Sequence, residues 1–412
     1  MRDSLTGAIW PPGTHPLGEP AAAVRTCPTL QLKGTSHAVH DYLVKARHDD
    51  LMRAAALAAA ASHESDSLRE ETMNSHARTV QPPAGQTPFD TLTGALGGLM
   101  VGHCLTSVTN FRVADALGDT PQTAAELAAV TGTNPGALHR MLRLLAAQGV
   151  FACSEDRFAH TAAFQLLRAD HPYSMRDFVA MYGTPAVIEH LGYFDYVLQM
   201  GRPTPYKVNQ GGFFALLQAD PELGRLFNMA MTSKARLQIA SITAAYDFSA
   251  CELIADIGGG LGHLLQAALD AAPRATGVLF DLPPVIEHAA AAASGRLSLQ
   301  VGDFFTDPLP AADTYLIMDV IHDWDDDQTV TLLSAVRRAA PPQARVLVIE
   351  TILADVPGPD WSKIMDMIML CFADGRQRTR SEHEQLLDKA GFRLERVIPT
   401  MADVSILETV PG

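Results

Sequence analysis

The chain has 412 residues, 47% of them hydrophobic, and a formal net charge of −15. That length exceeds one ordinary core, so two or three domains are expected, and the composition is that of a folded soluble protein. Such an acidic chain does not attract nucleic acid through its overall field. Its five widely spaced cysteines (Cys27, Cys104, Cys153, Cys251 and Cys371) form no CxxC pair or Cys/His cluster, so no structural zinc site is expected, only free thiols in a reducing cytoplasm.

Residues 1–87 read as a mobile extension. Prolines cluster in "WPPGTHPLGEP" and "QPPAGQTP", and one amphipathic helix is expected between them. No positive start leads into an apolar core, so the segment does not read as a secretory signal. Met73 is a candidate start, because organised sequence begins soon after it. "LTGALGGLMVGHCL" (92–105) falls short of the roughly 20 apolar residues of a membrane span. It contains a histidine and four glycines, and a packed helix is expected instead.

Residues 88–165 are expected to form a winged-helix module. "TAAELAAVTG" predicts a helix that begins after Thr123 and stops at Gly132. "NPGALHRMLRLLAAQG" predicts a second, capped by Asn134 and ended by Gly149. "VFACSEDRFAHT" follows as two short strands around a polar turn. The second helix offers only His139, Arg140 and Arg143 as basic groups, which favours dimerisation over DNA binding. Residues 166–245 read as all-helical. They are rich in Met, Phe and Tyr, suited to core packing and to walling a pocket for an apolar ring.

From 246 to 412 short apolar runs alternate with helical segments, predicting a doubly wound, mostly parallel α/β sheet. The runs are "ELIADI", "TGVLF", "LSLQV", "TYLIMDVI" and "ARVLVIE". The chain ends in "FRLERVIPT" and "DVSILETV" with no helix between them, which predicts one antiparallel strand.

"ADIGGGLG" follows the first of these strands and opens a helix. Gly258, Gly260 and Gly262 permit a tight turn and close approach to a ligand. A dinucleotide fingerprint would need a third glycine at position 263 or 265, where His263 and Leu265 stand. No Gly-Lys-Ser/Thr follows, which excludes a P-loop. The pattern, with Asp256 before it, is the loop of S-adenosylmethionine (SAM) enzymes. Asp281, ending the second strand, is expected on the ribose hydroxyls, since a carboxylate offers two acceptor oxygens. Asp303 after the third strand is expected at the adenine amino group, with Phe304 stacking on the ring.

"LIMDVIHDWDDDQ" carries the fourth strand to the same rim and delivers His322 there. A phenol, with a pKa of about 10, is a poor nucleophile until deprotonated, and a histidine near 6.5 can take that proton. His322 is therefore the expected general base. Glu350, ending the fifth strand, is expected to hold its tautomer, and Asp323 is a second candidate for that role.

In these motifs the sequence resembles the small-molecule SAM-dependent O-methyltransferases with an N-terminal winged-helix dimerisation domain. Plant caffeic acid and flavonoid enzymes, acetylserotonin methyltransferase and bacterial antibiotic-tailoring enzymes belong to that family. The carrying motifs are "ELAAVTGTNPGALHRMLRLLAAQGVF", "DIGGGLGHLL", "LFDLPPVI", "GDFF", "VIHDWDDDQ" and "VLVIETIL", across residues 88–412. The resemblance implies a homodimer acting on a hydroxylated aromatic or polyketide-like small molecule, with no membrane or nucleic-acid partner. It implies cofactor contacts at Gly258, Asp281, Asp303, Phe304 and Met318, and the base at His322 supported by Glu350. Met229 and Trp324 are expected in the acceptor pocket. Gln377 stands where many members carry a second glutamate. Two other readings remain: N- or C-methylation, in its metal-assisted form using Asp323 and Asp374, and a winged-helix SAM-sensing regulator.

Overall fold

The computed structural model describes residues 87–203, 212–289, 295–373 and 375–412. All belong to one compact unit, Arg78–Gly412. Met73, Asp374 and all of the expected extension except Thr87 lie outside the described residues.

The first part comprises α1 (Pro88–Asn110), α2 (Val113–Ala116), β1 (Gln122–Thr123), α3 (Ala124–Thr131), α4 (Pro135–Ala147), β2 (Phe151–Ser154), β3 (Arg157–His160) and α5 (Ala162–Gln165). Local chemistry sets the helix ends. Thr123 and Glu126 form a reciprocal capping box at the start of α3, and Gly132 ends it in the left-handed region at φ 68°. Asn134 Oδ1 accepts from the Ala137 N–H at 3.0 Å, and Pro135 occupies the first turn of α4. The hairpin β2–β3 gains β1 as a third strand, in the order β1-β3-β2, which the sequence reading did not foresee. Leu127, Leu138, Leu142, Leu145, Phe158 and Phe164 fill the core of this module.

Helix α1 departs from expectation. It runs for 23 residues, and by length and composition alone it could cross a membrane. Phe89, Leu92, Leu96, Leu99 and Met100 are all exposed, so the described residues do not provide the packing expected for this helix. Five apolar side chains thus stand open on one long helix.

The helical middle part contains α6 (Arg176–Tyr182), α7 (Pro185–Leu191), α8 (Phe194–Met200), α9 (Gly212–Ala219) and α10 (Pro221–Ala245). The last part is built from β4 (Leu253–Ile257), α11 (His263–Ala271), β5 (Thr276–Asp281), α12 (Pro283–Ala289), β6 (Leu297–Val301), β7 (Thr314–Met318), α13 (Asp326–Ala339), β8 (Arg345–Glu350), α14 (Trp361–Phe372), α15 (Arg380–Lys389), β9 (Phe392–Pro399) and β10 (Ser405–Pro411). Its seven strands lie in the order β6-β5-β4-β7-β8-β10-β9. β10 runs antiparallel to both neighbours and the remaining pairs are parallel.

Alternation along the strands supplies two cores. Leu316, Leu347 and Ile349 pack on one face with Leu264, Leu265 and Leu269 of α11. Tyr315, Ile317, Val346 and Val348 pack on the other with Leu332, Leu333 and Val336 of α13. Two buried faces are what a parallel sheet requires. Strand order reverses between β4 and β7, so the loops after these two strands border the crevice where ligands of such sheets bind.

Candidate active site

Both loops at the strand reversal carry residues singled out from sequence. After β4, Gly258, Gly260 and Gly262 take φ values of 69°, 60° and 78°, which only glycine adopts cheaply. The tightest packing falls on the glycine between the first two. A Cβ on Gly259 would overlap the Asp256 carboxylate and a Leu279 methyl, whereas one on Gly260 would meet nothing within 4 Å. The Gly260 N–H donates to Asp281 Oδ2 at 2.9 Å, and the Leu282 N–H donates to its Oδ1 at 2.7 Å. Asp281 thus ties the end of β5 to the glycine loop. Asp256 beneath is fully buried, and its Oδ2 has no hydrogen-bond partner. Burial, and then the charge of Asp281, push its carboxyl up to about 7.

Gly259→Ala is expected to weaken SAM binding about tenfold or more, measured by calorimetry. Overpacking costs about 1–3 kcal/mol, and the side chains that would have to give way, Asp256 and Leu279, are both buried.

At the end of β6 the Asp303 Oδ1 accepts from the Phe305 N–H at 2.9 Å, and the Asp303 N–H donates to Asp307 Oδ2 at 2.8 Å. These bonds hold a turn beside a cleft lined by Leu282, Val301, Gly302 and Asp303. Phe304 meets Phe305 and Trp324 edge-on, at centroid distances of 4.7 and 5.9 Å. Trp324 also meets Phe305 edge-on at 4.8 Å, so its ring braces the turn after β6 on this side of the sheet. Met318 is half-buried at the end of β7.

The fourth strand ends earlier than its apolar run implies. β7 stops at Met318, Asp319 turns through φ 52°, and Ile321–Asp323 form a 3-10 turn. This turn is held from both sides. On one side Glu350 Oε1 accepts from the N–H groups of Val320, Ile321 and His322 at 3.1, 2.9 and 3.3 Å. On the other, Arg378, 1% exposed, donates from Nη1 to the Ile321 carbonyl and from Nη2 to the Trp324 carbonyl, both at 2.8 Å. Its Nε donates to Asp326 Oδ1 at 2.9 Å. Gly375 lies so close to the backbone of His322 and Asp323 that a Cβ would not fit. The acidic run after His322 has local uses as well: Asp325 caps α13 through the Gln328 N–H at 2.8 Å.

Within this frame His322 Nδ1 lies 2.6 Å from Glu350 Oε2, so the imidazole donates there and Nε2 is its free nitrogen. Asp323 Oδ1 lies 3.7 Å from Nε2, and Asp319 Oδ1 lies 3.8 Å from Nδ1. Burial alone would lower the histidine pKa. The carboxylates of Glu350, Asp323 and Asp319 outweigh it and raise the value to about 9. His383, buried nearby, is pushed down to about 4, chiefly by burial, and is neutral at physiological pH.

The helical part holds an apolar cluster of Phe178, Met181, Val187 and Ala230, with Phe227, Met231 and Phe372 against it. Phe213 meets Phe372 and Phe227 edge-on at 5.0 and 5.7 Å, and His190 stacks on Phe372 at 5.5 Å. Met229 stands apart from this cluster, its sulfur 3.0 Å from Arg225 Nη1; Met231 is the methionine of that helix inside it. Gln377 is 2% exposed, and its Nε2 is buried without a partner.

The donors at the rim fit SAM. The glycine loop admits close backbone approach, acids stand at successive strand ends, and the buried Asp256 oxygen lacks a partner. The fold and this rim define a SAM-dependent methyltransferase. Residues 192–393 match the family model of the O-methyltransferase domain, and residues 94–170 match that of the O-methyltransferase dimerisation domain. Phenazine O-methyltransferase PhzM of Lysobacter antibioticus is 34% identical over 337 residues, spanning 80% of this chain and 98% of that protein. The 8-amino-8-demethylriboflavin N,N-dimethyltransferase of Streptomyces davaonensis is 32% identical over 312 residues, 73% of this chain and 89% of that protein. Among solved structures, the calicheamicin-biosynthesis methyltransferase CalO1 in its SAH-bound form has a TM-score of 0.74 at 33% identity, covering 79% of this chain and all (100%) of that one. This chain belongs to the O-methyltransferase family with an N-terminal dimerisation domain.

Proposed function

We propose that this methyltransferase acts on a hydroxyl group of an aromatic or polyketide-like secondary metabolite, with His322 as general base. The observation that carries the reading is the 2.6 Å bond between His322 Nδ1 and Glu350, which leaves Nε2 as the proton acceptor. When bound, SAM supplies an electrophilic methyl group and leaves as a neutral thioether. His322 Nε2 takes the hydroxyl proton, and Glu350 holds the Nδ1–H and stabilises the resulting imidazolium. Asp323, 3.7 Å from Nε2, adds to that stabilisation. The apolar cluster with Phe227, Met231 and Phe372 supports an aromatic acceptor, since rings meet rings favourably there. Gly258, Gly260, Gly262 and Asp281 hold the cofactor, with Asp303, Phe304 and Met318 on its adenosine side. A homodimer joined through the dimerisation domain, covering the exposed face of α1, accompanies this reading.

N-methylation is the second reading, supported by the riboflavin-type N,N-dimethyltransferase relative. Acid–base behaviour separates the two. A neutral amine needs no deprotonation before attack, whereas a phenol does. For a phenolic acceptor kcat/KM is expected to rise with pH across an acid limb above the ordinary 6.5 of histidine and no higher than about 9. The direction follows because only the neutral imidazole accepts a proton. A flat profile with phenols, together with faster turnover of aryl amines, would transfer the assignment to nitrogen.

A further inference from the structure

A buried lysine and a half-buried aspartate beside the base take no part in this scheme. Helix α10 passes Phe227, Ala230 and Met231 along the apolar cluster and one turn later places Lys234, 8% exposed, at the rim. Lys234 Nζ donates to Asp319 Oδ2 at 2.9 Å. The other oxygen, Asp319 Oδ1, is buried, accepts no hydrogen bond, and lies 3.8 Å from His322 Nδ1. One carboxylate therefore stands between a cation on the acceptor-side helix and the imidazole. Asp319 also holds a left-handed backbone at φ 52°, a conformation that costs energy unless contacts fix it.

We propose that Lys234 and Asp319 form a positioning pair that sets how readily His322 gives and takes its proton. Asp319 favours the charged imidazole, and Lys234 opposes it by neutralising that carboxylate. The other groups facing the pair are accounted for. Glu350 of β8 is bonded to His322 and to three N–H groups of its turn, and Asp323 lies on the Nε2 side. His383 of α15 is neutral, and Arg378 is committed to the carbonyls of the turn and to Asp326. Asp403, near Lys234, accepts from Gln238 Nε2 at 3.0 Å and Trp361 Nε1 at 3.2 Å, which leaves Asp319 as the lysine's hydrogen-bonded partner. Tyr182 of α6, near Lys234, is raised to about 12 by burial and carries no charge at neutral pH. Because α10 also borders the apolar cluster, the pair links the helix beside the acceptor to the base.

The consequence for turnover rests on His322 being the base, but the pair itself is testable without turnover. The full-length protein, labelled with 13C-histidine, is titrated by NMR, and His322 is assigned by its absence in His322→Ala. Lys234→Met is expected to raise the imidazole pKa by about one unit, and Asp319→Asn to lower it by about one unit. Lys234→Arg is expected to keep the wild-type titration, and the double variant Lys234→Met/Asp319→Asn to follow Asp319→Asn. The acid limb of kcat/KM is expected to move with each titration, with little change in rate above it. Unchanged titrations in both single variants, or shifts in the same direction, would overturn the pair. A loss of rate equal at every pH would reduce it to scaffolding. Titrations that move as expected while the rate ignores them would leave the pair standing and remove His322 as the base.

Discussion

His322→Ala is expected to lower kcat with a phenolic acceptor by about 100- to 10,000-fold, while calorimetric affinity for SAM stays within a few-fold. The size follows from what remains. Asp323 is the other group beside the free imidazole nitrogen, and a carboxylate is ordinarily a far weaker base than an imidazole. Cofactor affinity is spared because the glycine loop and Asp281 follow β4 and β5, across the strand reversal from the histidine's turn. Wild-type turnover in this variant would mean that holding the acceptor near the methyl donor is sufficient.

The carboxylates that make this histidine a strong base also set opposing demands on pH. A pKa raised from 6.5 to about 9 contributes stability that is fully present below the unfolded value. That contribution is lost as pH rises through the folded value, while the neutral imidazole needed for catalysis becomes more abundant. The rate is thus highest where this part of the stability is smallest.

What the sequence revealed was local chemistry and period. Thr123, Gly132 and Asn134 fix the ends of α3 and α4 through contacts a few residues apart, and the strand rhythm of the last domain follows from alternating burial on two faces. Helix α14 leaves no clear mark in the sequence because "WSKIMDMIMLCF" is apolar nearly throughout, and a short run of that kind does not announce its period. The apolar run of β7 extends three residues past the strand for a related reason. "DVI" continues an apolar run, yet its backbone turns so that three N–H groups meet one carboxylate. At the site, His322 and Glu350 were legible because strand ends converge on one rim. Lys234 and Arg378 were not, since their bonds span 85 and 57 residues and leave no spacing to read. Gly259 is not marked by the motif, because its constraint is crowding by Asp256 and Leu279 rather than a positive φ.

Arg378→Met is expected to cost about 2–5 kcal/mol in chemical denaturation and to lower kcat by about 100-fold, again with SAM affinity retained. Arg378 is among the largest fully buried side chains of the protein, and its guanidinium serves three acceptors at once. Methionine fills similar space but leaves the Ile321 and Trp324 carbonyls without their donor. Asp326 is half-exposed and can turn to water, so most of the cost falls on those two carbonyls. They bracket His322. Glu350 then holds the turn from its N–H side alone, and the imidazole loses the fixed orientation on which proton transfer depends. Arg378→Lys is expected to recover only part of the rate, because one ammonium cannot reproduce a planar fork spread over three acceptors. A variant that loses the stability but keeps the full rate would show that Glu350 alone orients the base, and that the arginine acts only in folding.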